Sequence, residues 1–265
     1  MTIVFEKVSK SYRVRNTFKF VANSISVNID PSASIALLGK NGAGKSTLLR
    51  MISGEIKPDS GRIISQHKIS WPVGFAGSFH KDLTGLQNTR FIARIYGVDT
   101  YSLEKFVQEF SELGDHFYMP FRSYSSGMRS RLAFGVSMGI DFDTYLIDEV
   151  TSVGDASFRQ KSSALLKKRI ETSGAIIVSH SLGILKELCT ISAVLENGKL
   201  IVFDTVDEGV QYYNETNGVV DKNLNTQNEK IQLIKDKLNA SREAVKKLNE
   251  RNTQLKVKLE NARKQ

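Results

Sequence analysis

Three short stretches of this chain carry residue types that could act on a phosphate chain. The first runs from Gly39 to Thr47, GKNGAGKST, directly after the apolar run SIALL at 34–38. Gly39, four further residues and then Gly44-Lys45-Ser46 have the spacing of a phosphate-binding loop. Glycines permit a tight turn in which successive N–H groups point inward and form an anion nest. The segment from Lys45 onward reads as a helix whose positive end faces the same anion. Lys45 is placed to reach the outer phosphates, and the Ser46 hydroxyl to ligate Mg2+. The second stretch is Asp148-Glu149, which ends the run TYLID. An aspartate at the tip of a buried strand can hold a water bound to that Mg2+, and the adjacent glutamate can activate an attacking water. The third is His180, immediately after AIIVS at 175–179, where a contact to a terminal phosphate is expected.

These groups must be presented by strands. SIALL, TYLID and AIIVS are unbroken apolar runs, the pattern of parallel strands covered on both faces. Short β-type runs alternate with helical patterns over 1–216, which indicates an α/β fold. In open α/β sheets the ligand crevice lies beyond the strand ends, where all three stretches fall. Helical patterns over 86–113 and 127–139 lie between the first two of these strands and predict a helical subdomain. No internal repeat is present.

With SYSSGMRSRLAFG at 123–135, these pieces resemble the ATP-binding cassette (ABC) family. That family has a signature of the form LSGGQ ahead of the strand bearing Asp-Glu. Tyr124-Ser125-Ser126-Gly127-Met128 stands in its place: Ser125 and Gly127 match, Ser126 replaces a glycine and Met128 a glutamine. Ser152 and Asp155 match the loop that contacts the dimer partner, His180 matches the switch histidine, and Tyr12 matches the aromatic that stacks on adenine. The resemblance covers residues 1 to about 216. It implies a P-loop NTPase core with a mostly parallel sheet, an antiparallel β part and a helical subdomain. It also implies ATP and Mg2+ as ligands. Tyr12, Gly39, Asn41, Gly42, Ala43, Gly44, Lys45, Ser46 and Thr47 would bind nucleotide, and Ser46 and Asp148 would bind the metal. Glu149 would be the general base and His180 would stabilise charge on the γ-phosphate. Ser125, Ser126, Gly127 and Met128 would act on the nucleotide of a second chain.

One departure stands out. The family carries a glutamine after the strand that follows the phosphate loop. Here the region reads ISWPVGFAGSFHKDLTG at 69–85, with none, and Gln87 falls too late. The backbone, a water and His80 are the alternatives. Trp71-Pro72 either packs in the core or shapes a groove for a membrane subunit. Arg129 and Arg131, beyond the signature, are interface or solvent residues on its helix. SWP at 70–72, FIARIYG at 91–97, 119–135 and 147–158 together resemble the ATP-binding subunits of bacterial capsular polysaccharide exporters. That resemblance implies a homodimer beneath two copies of an integral membrane subunit, at the cytoplasmic face of the inner membrane. The implied cargo is a lipid-linked polysaccharide.

Composition is consistent with this and adds one feature. A single cysteine, Cys189, allows no disulfide within the chain and suggests a reducing compartment. No apolar run approaches the ~20 residues of a membrane-spanning helix, and the N-terminus has no signal-peptide pattern. The net charge is +9, and residues 222–265 hold 12 Lys/Arg against 5 Asp/Glu. The basic character therefore belongs to the tail. Residues 217–228 read as a linker and 229–265 as a basic amphipathic helix. Ile231, Ile234, Leu238, Ser241, Val245, Leu248, Asn252, Leu255, Leu259 and Ala262 follow a coiled-coil spacing. The flanks of that seam hold Lys235, Lys237, Arg242, Arg251, Lys256, Lys258 and Arg263 and no acid. An acidic helix of a partner, or an anionic lipid surface, is the expected mate, with self-pairing and an unpartnered helix as alternatives. The competing functional reading is a soluble cassette ATPase acting on nucleic acid through this tail. The terminal position of the helix and the single cassette favour transport, with no nucleic acid expected.

Overall fold

In the computed structural model, residues 2–217 are described, apart from 16, 78 and 150–154. The chain divides into two compact units, Met1–Tyr213 and Asn214–Gln265. Of the second, only 214–217 fall among the described residues. The expected linker beyond Asn217 and the basic helix over 229–265 lie outside them.

The chain opens with two long strands, β1 (Ile3–Val14) and β2 (Thr17–Ile29), and then β3 (Ser34–Leu38) leads into α1 (Lys45–Ile52). β4 (Ser60–Ile64) and β5 (Ile69–Pro72) follow, then α2 (Gly85–Tyr96), α3 (Thr100–Ser111) and α4 (Ser126–Met138). The remainder alternates: β6 (Thr144–Asp148), α5 (Ala156–Ile170), β7 (Gly174–Val178), α6 (Leu182–Leu188), β8 (Ile191–Glu196), β9 (Lys199–Phe203) and α7 (Val206–Asn217). Two sheets result. The larger has strand order β5-β6-β7-β3-β8-β9, parallel except for β9; the smaller is antiparallel, β2-β1-β4. Among the described residues, no helix is long and apolar enough to cross a membrane.

The central strands read as unbroken apolar runs because both of their faces are covered. Side chains alternate across a strand, and the cores follow suit. Ala36 and Leu38 of β3 join Tyr145, Ile147, Ala175 and Ile177 in a core shared with the helices. Ile35 and Leu37 join Leu146, Ile176 and Val178 in a second core, with Leu48, Leu49, Met51 and Ile52 of α1 and with Ile3, Phe5 and Val8 of β1. The loop-bearing helix α1 is thus held by its apolar side while its N-terminus stays at the sheet edge.

The region expected to be helical across 86–113 is two helices. Gly97 (φ 64°) ends α2 in the left-handed conformation, which costs glycine little. The Asp99 carboxylate then accepts from Ser102 N–H and starts α3. α2 is itself opened by a reciprocal pair, Thr84 with Gln87. α3 packs on α4 and α5 through Phe110, which lies 5.8 Å from Phe134 of α4 and 5.4 Å from Phe158 of α5, ring centre to ring centre. Trp71 packs 4.9 Å from Tyr96 and 5.5 Å from Phe142; it is half-buried, and Pro72 is buried. Trp71 therefore joins β5 to α2 and to the entry of β6.

That entry is fixed by Tyr145, which is fully buried. Its hydroxyl donates to Ile140 O at 2.9 Å and accepts from Phe142 N–H at 3.4 Å. Burial pushes the phenol pKa up. Tyr145→Phe keeps the ring and orphans both backbone groups. It is expected to cost about 1–2 kcal/mol, read as a lower urea midpoint with an unchanged slope. An unchanged midpoint would mean that this turn is held by ring packing alone.

Candidate functional site

β6, β7 and β3 are adjacent and parallel, with Asp148 opposite Val178 and Ile35 opposite Ile176. Their carboxyl ends therefore emerge side by side. The glycine loop leaves β3, Glu149 follows β6, and His180 lies two residues beyond β7. The three stretches singled out in the sequence meet at one edge.

They line a cleft of about 560 Å³. One wall is the loop and the start of α1: Asn41, Gly42, Gly44, Lys45, Ser46 and Thr47. The floor is Asp148, Glu149, Val178 and His180, and the far wall is Tyr12, Lys19 and Val21 from the antiparallel sheet. Gly39 and Ala43 are not among the lining residues. An added Cβ on Gly39 would meet Leu195 O at 2.6 Å, and Ala43 N–H donates to Lys40 O at 3.0 Å, closing the turn. Gly44 precedes α1 with φ 108°, and a Cβ there would lie 2.0 Å from Val21 Cγ1. The loop can follow this path only with glycine at that position.

The Lys45 ammonium donates to Gly39 O at 2.7 Å and Lys40 O at 3.1 Å. Burial lowers its pKa, and the negative charges of Glu149 and Asp148 work against that shift. His180 Nε2 lies 2.8 Å from Glu149 Oε1, and both side chains are more than half exposed. Glu149 has φ 56°, a left-handed backbone that is uncommon outside glycine, asparagine and aspartate. Its N–H donates to Val178 O at 3.0 Å, which ties it to β7. Chemically, the cleft offers an anion nest, an ammonium, hydroxyl and carboxylate oxygens suited to a hard cation, and a carboxylate–imidazole pair for proton transfer.

The signature segment is elsewhere. Ser125, Ser126, Gly127 and Met128 line a second cleft of about 520 Å³ with Ser130, Arg131 and Asp155, and the two clefts share no residue. Ser125 caps α4, its Oγ accepting from Met128 N–H at 3.3 Å. A Cβ on Gly127 would meet nothing closer than Ser125 Oγ at 4.0 Å, so none of the described residues of this chain requires glycine there. Arg131 is anchored. It donates to Asp155 Oδ2 at 2.7 Å, lies 3.6 Å from Glu112, and covers the Phe158 ring at 4.6 Å. Asp155 caps α5 through Phe158 N–H, and that bond, together with Arg131, holds its carboxyl below the usual range. Arg129 donates to Arg122 O at 3.1 Å and lies over Phe121. Ser152 lies outside the described residues.

His80 is not among the cleft-lining residues. Its N–H donates to the side-chain oxygen of buried Asn88 at 2.8 Å, and its Nδ1 accepts from Asp82 N–H at 3.3 Å. Sequence reasoning missed Lys19 and Val21. A signal for them exists in hindsight: Lys19 sits opposite Tyr12 across the β1–β2 hairpin.

Comparison with known proteins fits this geometry. The family model described as "ABC transporter" matches residues 22–152. The polysialic acid transport ATP-binding protein KpsT of Escherichia coli is 49% identical over 214 residues, 80% of this chain and 96% of that protein. The chain belongs to the ABC transporter family. It is 46% identical to the ATP-binding protein BexA of Haemophilus influenzae, over 79% of this chain and 96% of the relative. It is 45% identical to the capsule polysaccharide export ATP-binding protein CtrD of Neisseria meningitidis serogroup B, over 80% and 98%. In fold it resembles a solved dimeric ATP-binding cassette, MJ0796 with ADP and Pi, at a TM-score of 0.63 and 20% identity, over 75% of this chain and 96% of the other. This chain is thus an ABC-type ATPase, and ATP is its nucleotide.

Gly44→Ala should weaken ATP binding by roughly five- to 150-fold, the equivalent of about 1–3 kcal/mol of backbone strain in a misplaced loop. The double change Gly44→Ala, Val21→Ala relieves the clash and leaves the positive φ unmet. Its affinity, measured by titration calorimetry, should recover only in part. Full recovery would reduce the requirement for glycine to contact with Val21.

Proposed function

We propose that this chain is the ATP-hydrolysing subunit of an exporter for a lipid-linked capsular polysaccharide. The observation that carries the substrate class is identity of 45–49% over nearly the whole length of relatives named for polysialic acid or capsule polysaccharide export. The nucleic-acid reading receives no support from those relatives. α2 presents exposed Phe91 and Ile95, and α3 exposed Tyr101, a surface suited to a membrane subunit. In this reading the chain works as a homodimer under two copies of that subunit, at the cytoplasmic face of the inner membrane. The tail over 229–265 docks on an acidic helix or anionic lipid.

The mechanism follows from which groups each cleft supplies. The glycine loop, Lys45 and the start of α1 grip the phosphates, and Tyr12, 41% exposed on the far wall, stacks on adenine. The hard oxygens of Ser46 and Asp148 would hold Mg2+, which neutralises phosphate charge when bound. Glu149 takes a proton from the attacking water, and His180, within hydrogen-bonding reach of it, stabilises the γ-phosphate. One chain covers only one side of the nucleotide. The other side is covered by Ser125, Ser126, Gly127 and Met128 of the second copy, where the N-terminus of α4 presents N–H donors to the anion. The open space at Gly127 leaves room for that approach. ATP favours the closed pair because it binds that state better, and hydrolysis removes the preference.

Glu149→Gln should bind ATP, remain a closed dimer on size exclusion in magnesium–ATP, and turn over at least ~100-fold more slowly. Lys45→Ala should instead lose trapped nucleotide. Near-normal turnover in Glu149→Gln would remove Glu149 from the role of base. A Glu149→Gln chain that stays monomeric with magnesium–ATP, even beside its membrane subunit, would overturn the shared-site mechanism.

A further inference from the structure

The cleft carries a second ammonium that no step above uses. Lys19 lies on β2 directly opposite Tyr12, and directly paired residues of an antiparallel ladder project from the same face. Both line the cleft. A Cβ placed on Gly42 would sit 3.4 Å from Lys19 Nζ, so the ammonium rests against the turn of the phosphate loop.

Some of the cations nearby already have partners. Lys10 pairs with Asp59 at 2.6 Å, and Arg62 with Glu6 at 2.6 Å. Lys45 donates to two loop carbonyls. The Lys19 side chain is exposed, and among the described residues its ammonium has neither a hydrogen bond nor an ion pair. It shares the cleft with the positive start of α1 and with Lys45, both of the same sign. Like charges gathered at one point are unfavourable alone and favourable around an anion. The position also selects part of the ligand. Lys19 sits between Tyr12, which takes the base, and Gly42 on the loop. A nucleotide spanning that interval places its inner phosphates there, while Lys45 and the Glu149–His180 pair take the outer end.

We infer that Lys19 is a nucleotide-affinity residue that holds the α- and β-phosphates from the β2 side, and so retains ADP as well as ATP. The inference rests on the reading of this cleft as the ATP site, and the test separates the two. Dissociation constants for ATP and ADP are measured on the full chain, for wild type, Lys19→Arg, Lys19→Gln, Lys19→Glu and Lys45→Ala. Thermal midpoints are recorded to show that each variant is folded. Loss of one charge-assisted contact predicts about tenfold weaker binding of both nucleotides in Lys19→Gln. Lys19→Arg should stay within about threefold of wild type, Lys19→Glu should be weaker than Lys19→Gln, and the salt dependence of binding in Lys19→Gln should be shallower. Wild-type affinity in Lys19→Gln, with Lys45→Ala impaired, would overturn the role of Lys19 and leave the ATP site standing. Weakening of ATP with ADP spared would overturn the assignment to the inner phosphates. Equal loss in Lys19→Arg and Lys19→Gln would overturn the electrostatic role in favour of packing. Indifference of binding to Lys45→Ala would sink the site itself.

Discussion

Parallel pairing of β6, β7 and β3 is the constraint from which the cleft follows. Hydrogen bonding fixes the register of the three strands, and burial on both faces forbids a slip, because a shift of one residue would exchange every side chain between two cores. Strands held in step end in step. A glycine loop, a carboxylate pair and a histidine, far apart in the chain, are therefore delivered to one edge without any direct contact having to assemble them. The turn at Tyr145 contributes by setting where β6 begins, and so where Asp148 ends.

Much of this was legible because the burial that fixes the register leaves a trace in the sequence. Covered strands need no polar face, so SIALL, TYLID and AIIVS stand out as unbroken runs. The phosphate loop was legible for a local reason: its glycines answer to backbone demands such as the positive φ at Gly44. The antiparallel sheet was not resolved into strands. β1 and β2 are exposed over much of their length and broken by register shifts, so neither an apolar run nor a clean alternation survives. That blind spot hid Lys19 and Val21, whose meaning depends on a pairing that sequence spacing does not show. The division of 86–113 at Gly97 was missed because apolar periodicity continues on both sides of a short break.

The two clefts differ in what they can complete alone. The first brings together a glycine loop, two ammonium groups and a carboxylate–imidazole pair within one chain. The second presents a capped helix start, and Arg131 in its wall links α4 to the cap of α5 and to Glu112 beyond the end of α3. Three helices therefore meet at the rim of that cleft through one guanidinium.

The backbone of Glu149 has a cost of its own. A left-handed conformation at a residue with a Cβ is worth about 1–2 kcal/mol of destabilisation, which glycine would avoid and asparagine would reduce. Fold stability and the proposed chemistry therefore pull this position in opposite directions. A chain that discarded the carboxylate would fold more comfortably. Under the proposed mechanism, only selection for turnover would keep the glutamate in place, so drift in a lineage that no longer needs export should erode this residue ahead of the well-packed strand that carries it.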